Sequence, residues 1–166
     1  MLIHINYGRT KTKIVMDKKK SIEALQFLTT ELSNGAFVHL VQGKRFASLG
    51  FTKLAEKYTG HYQEEMQWVE KFMARIYDLG GNVKVEDRKC REIVKTPLDY
   101  VKADLDIQEK GVEMLYGCVA EVSGDPTTHD LLKEYLADEE EDLYWSQEQV
   151  EMAGMIGEQN WLVKQM

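Results

Sequence analysis

Six polar residues interrupt stripes that would otherwise be apolar: Glu31, His61, Glu65, Gln108, Glu139 and Asp142. Glu31 stands beside Leu28 and Leu32. His61 and Glu65 share the spacing of Leu54, Tyr58, Trp68, Phe72 and Leu79. Gln108 is the one polar member of Val101, Leu105, Gln108, Val112, Leu115, Val119 and Val122. Glu139 falls within Leu132, Leu136, Leu143, Ser146 and Val150, with Asp142 one turn further on. Steps of three and four residues stay on one helical face, so these polar groups point where their apolar neighbours point. An isolated buried carboxylate costs on the order of several kcal/mol, and a converging set calls for a bound cation or raised pKa values. The chemistry on offer is oxygen-rich cation binding with His61 as a nitrogen donor. The alternative is that Glu31 and Glu65 are ordinary solvated charges.

The stripes define the elements that must carry these groups. The periodicity predicts α1 over about 18–48, α2 over 52–79, α3 over 98–123, α4 over 128–154 and a short α5 over 157–165. Ser21 and Thr52 read as N-caps, and Gly80-Gly81 and Gly124 as stops. Asp125-Pro126 reads as a tight turn into α4. The α1–α2 link, Leu49-Gly50-Phe51, allows only an antiparallel hairpin, and the α3–α4 link is similarly short. Residues 82–97 are polar and unpatterned; sixteen residues reach roughly 50 Å, more than the about 40 Å of α2. That loop can run the whole length of a bundle and leave α3 parallel to α2. Glu31, Glu65, Gln108 and Glu139 each lie about 10–13 residues into their helices, so they meet at one height. The fold class is all-α, a four-helix bundle with one long crossover and a short fifth helix. Residues 1–16 form an N-terminal appendage to a domain spanning 17–166, with Met16 as an alternative start.

The 166 residues carry 21 basic and 28 acidic side chains, a net charge of −7, which argues against nucleic acid as the main partner. Cys90 and Cys118 form neither a CxxC pair nor a disulfide framework, so a reducing cytoplasm is expected. Cys90 reads as an exposed thiol and Cys118 as a buried small hydrophobe. No apolar run approaches a membrane span. Trp145, Trp161, Tyr144 and Phe72 read as packing residues.

Three segments resemble the bacterioferritin branch of the ferritin-like family: EEMQWVEKFMARIYDLGG (64–81), DEEEDLYWSQEQ (138–149) and IGEQNWLVKQM (156–166). The likeness runs over about 17–166. Members store iron in hollow 24-subunit shells and oxidise Fe(II) at a di-iron site built from a Glu and a Glu-x-x-His in each half of the bundle. Haem is often held between two subunits by paired methionines. The resemblance implies self-association through two-fold dimers into such a shell, or a 12-subunit one, with a second ferritin-like subunit as a possible partner.

Carried over by position, the ligands land on Glu31, Glu65, Gln108 and Glu139, while the two histidines become Trp68 and Asp142 and a helix α1 tyrosine becomes Val38. Trp68 has no ligand atom and its bulk is expected to fill a ligand position. Gln108 removes a bridging charge. The surviving Glu31, Glu65 and Glu139, with Asp142 and His61, suit one weakly held cation better than a redox iron pair. The haem methionine falls on Met66, which packing alone could also explain. The small residues Gly35 and Ala36 next to Leu32 suggest a flat face for a partner subunit or a planar group, with His39 at that interface.

Three functions compete: an iron-storage subunit with a degenerate ferroxidase centre, an enzyme with shifted ligands (His61, Glu65, Glu31, Glu139), and a non-catalytic assembly protein. The basic run RTKTKIVMDKKK (9–20) keeps a DNA-protecting mini-ferritin in view, although the net charge disfavours DNA.

Overall fold

The computed structural model describes residues 17–88, 90–93 and 96–166. The expected appendage and most of the basic run lie outside the described residues. Five helices follow in order: α1 Lys18–Ser48, α2 Thr52–Asp78, α3 Pro97–Glu121, α4 Pro126–Ile156 and α5 Glu158–Lys164. Among the described residues there is no strand, and no helix is long and apolar enough to cross a membrane.

The caps differ in detail from expectation. Asp17, not Ser21, caps α1 by accepting from Lys20 N–H, and Ser21 is buried inside the first turns. Thr52 is the first residue of α2 rather than its cap. Asp125 caps α4: it accepts from Thr128 N–H and Oγ1, and Arg75 Nη2 reaches it at 2.8 Å. Gly80, at φ 82°, reverses the chain after α2, where a side chain would be strained. A Cβ on the adjacent Gly81 would lie 3.0 Å from Ile22 and Ile76.

Two apolar clusters show how the helices run. One joins Leu25 and Leu28 of α1, Phe72 and Ile76 of α2, Leu115 of α3 and Leu132 of α4. The other joins Phe46, Leu54, Leu98, Val101 and Ala153, closed by Trp161 of α5. The starts of α2 and α3 therefore share one end with the finishes of α1 and α4, so α2 and α3 are parallel. The crossover runs beside α1. Gln26 clasps it through Lys84 N–H to Oε1 (2.8 Å) and Nε2 to Lys84 O (3.1 Å). Thr30 then donates to Glu86, and Arg88 lies over the Phe37 ring. Cys90 is exposed, while Cys118 is half-buried against the first cluster. Tyr144, expected to pack, is exposed.

Candidate functional site

Between the two clusters the bundle turns polar. All six residues singled out by their spacing — Glu31, His61, Glu65, Gln108, Glu139 and Asp142 — line one cavity of about 390 Å³. Phe27, Ile107 and Met114, all partly exposed on α1 and α3, form its apolar walls. Gln108 is buried, and its Oε1 accepts no hydrogen bond from any described residue.

The floor of this cavity is organised by a residue expected elsewhere. His39, expected at a subunit interface, is 8% exposed at the centre of the bundle. Its Nδ1 lies 2.8 Å from Glu65 Oε2 on α2, and its Nε2 lies 3.0 Å from Asp104 Oδ1 on α3. With a carboxyl group against each ring nitrogen, the geometry suits a ring that donates from both. Burial opposes the charged form, but Glu65 and Asp104 outweigh it and hold the pKa well above the usual histidine range.

A second tie closes the α2–α4 side. His61 Nε2 lies 2.8 Å from Asp142 Oδ1, and Lys57 Nζ lies 3.0 Å from the same oxygen. Burial alone would raise the Asp142 pKa, yet the hydrogen bond and charge of His61, then Lys57, bring it below the usual value. The two histidine rings are 5.5 Å apart, and Tyr58 touches both at 5.5 and 5.6 Å. Glu139 has no cationic tie of this kind. Burial and then the charge of Glu65 push its pKa up to about 8, so it carries a proton at neutral pH.

Trp68 does not fill a ligand position. It lies outside the cavity walls, stacked on Phe72 and tilted against Tyr135, with Lys71 Nζ 3.6 Å from its ring centre. Its Nε1 donates to Asp138 at 2.6 Å. Among the described residues, no three His, Cys, Asp or Glu side chains are arranged to hold a metal ion. Some of these donors pair with one another, while Asp104 Oδ2 and Gln108 Oε1 are buried without a hydrogen bond from any described residue.

Of the residues expected beside a haem, Met66 is half-buried against the first apolar cluster, Leu32 and Ala36 are buried within the bundle, and Gly35 is part-exposed with open space beside it.

Comparison with known proteins agrees with the architecture. The ferritin-like domain family matches residues 22–155. A protein named bacterial ferritin from Neisseria meningitidis serogroup B is 30% identical over 136 residues, covering 77% of this chain and 84% of its own. Another of that name from Pseudomonas aeruginosa is 27% identical over 150 residues, covering 87% and 97%. A bacterioferritin from Mycobacterium leprae is 29% identical over 136 residues, covering 80% and 84%. With the crossover, the parallel middle helices, the closing α5 and this match across most of its length, the chain belongs to the bacterioferritin branch of the ferritin-like family.

Proposed function

We propose that this chain is an iron-storage subunit of a hollow, cytoplasmic ferritin-like shell, and that its own bundle does not run two-iron oxidation. One observation carries the second half of this reading: the carboxylates an iron pair would need are already engaged. Glu65 and Asp104 share His39, and Asp142 holds His61 and Lys57. Glu139 keeps its proton at neutral pH, and Gln108 brings no charge. Glu31 is left as an oxygen ligand on the cavity wall, enough for a passing Fe(II) and too little to fix two. Oxidation then depends on the mineral surface or on a second ferritin-like subunit, and this chain contributes shell wall and cavity.

The test joins three measurements on the purified chain: particle size, iron retained after aerobic Fe(II) loading, and stopped-flow oxidation. A large particle that retains iron without a fast phase of two Fe(II) per subunit is expected. A fast stoichiometric phase would overturn the degenerate centre. A small particle that retains no iron would overturn storage and favour the assembly-protein reading.

A further inference from the structure

We infer that the cavity in the polar layer is a binding pocket for a small organic amine with an apolar body, entered through the seam between α1 and α3. Phe27 on α1 and Ile107 and Met114 on α3 are 44%, 58% and 39% exposed, and all three line this one cavity. Scattered apolar side chains on a surface need no explanation, but a set that walls a hollow marks a place where something apolar fits. Two glycines keep the seam open. Gly35 on α1 and Gly111 on α3 both line the cavity, and a Cβ added at either would meet no atom beyond its own helix backbone within 4 Å. The volume of about 390 Å³ falls within the range of small-molecule pockets. It exceeds the roughly 150 Å³ that accepts a benzene ring, which leaves room for a ring and a short chain.

The polar end of the cavity selects the head group. Gln108 is 7% exposed, and its Oε1 accepts no hydrogen bond from any described residue. Asp104 Oδ2, one turn earlier on α3, likewise lacks a donor. A buried oxygen left without a partner costs on the order of 1–3 kcal/mol, which a donor brought in by a ligand relieves. Across the seam, Glu31 offers a further carboxyl group. Taken whole, the lining sets six acidic side chains against Arg91, Lys110 and two histidines. That excess favours a cationic head over an anionic one. A primary ammonium brings the charge and three N–H donors, where a hydroxyl brings one donor and no charge. The apolar body then lies along Phe27, Ile107 and Met114. This inference goes beyond the storage reading and fails separately from it, since particle size and iron retention play no part in its test.

The probe is phenylbutylamine, titrated calorimetrically into the full chain as it assembles, beside two molecules of the same shape: phenylbutyrate, an anion, and phenylbutanol, which is neutral. The amine should bind at about one per chain, with a Kd at least about tenfold tighter than either. Gly111→Leu puts a side chain into the open space of the cavity and a better helix former into α3, so it should weaken the amine at least about tenfold without lowering the thermal midpoint. Gln108→Leu keeps the bulk and removes the acceptor, and should narrow the preference for the amine over phenylbutanol. The proposal is overturned if the amine shows no saturable binding, as it would where a neighbouring copy covers the seam, or if phenylbutyrate binds as well as the amine. Undiminished binding in folded Gly111→Leu would also overturn it. Should Gly111→Leu not fold, Gly35→Leu is read in its place on the opposite wall, with the same two outcomes.

Discussion

The apolar end of the bundle and the polar layer at its middle are built from the same four helices and hold together in opposite ways. Around Phe72, many weak contacts with Ile76, Leu25, Leu115 and Leu132 overlap, and no single partner is indispensable. Around His39 the contacts are few and matched, one nitrogen to one carboxylate on each neighbouring helix. The first region responds to lost volume, the second to lost charge.

Substitutions can separate the two regimes. Phe72→Ala should cost about 4 kcal/mol through an unfilled cavity, read as a lower denaturation midpoint at every pH. His39→Gln keeps most of the volume and removes the charge; a loss of about 3 kcal/mol is expected in metal-free buffer. A loss under about 1 kcal/mol would mean that the layer is held by packing after all. Next in size comes a kinetic effect. Trp68→His with Asp142→His and Gln108→Glu restores the family's ligand types, but leaves Glu65 bound to His39. That triple variant should oxidise Fe(II) at least about tenfold more slowly than the same variant carrying His39→Phe, about 1.4 kcal/mol in barrier. Equal rates would show that the imidazolium yields readily to iron.

Two smaller effects sharpen the contrast. Glu139 moves from 4.5 to about 8 on folding, so its neutral form stabilises the fold below the lower value, and that contribution is lost as pH rises through about 8. His39, raised above 6.5, likewise contributes fully below that value and loses its contribution as pH rises through its folded value. Stability should decline on the alkaline side, with the same slope in Phe72→Ala and a shallower one in Glu139→Gln. Trp68→Phe keeps a ring beside Phe72 and Tyr135 but removes the hydrogen bond to Asp138, and should cost about 1 kcal/mol, with no change in that slope.

The helices were legible because each stripe is long: expected bounds of 18–48 and 52–79 became Lys18–Ser48 and Thr52–Asp78. The parallel run of α2 and α3 followed from loop length alone. The cavity was legible too, since residues at equal depth in four helices must meet. The pairing within it was not. His39 continues the buried run of Leu25, Leu28, Leu32 and Ala36 toward Phe46, a signal present in the spacing but overshadowed by the small residues beside it. Asp104 sits just off the Val101–Leu105–Gln108 seam, and only the width of a four-helix core brings it inward. Periodicity gives the direction of a side chain. It does not tell which of several inward carboxylates a given imidazole will choose.

The Gln26 clasp on Lys84 carries a consequence for how the chain is divided. Each half of the molecule is a self-contained helical hairpin with local contacts, the sort of unit that forms quickly. The clasp fastens the strap to the first half, and the His39–Asp104 pair fastens the second half to the first. A protease cut in the exposed stretch at Val85–Arg88 would therefore leave two fragments that stay together as a non-covalent pair. Seen so, the strap is a tether that sets the proportion of two partners at one to one, and the adhesion between them resides in the bundle.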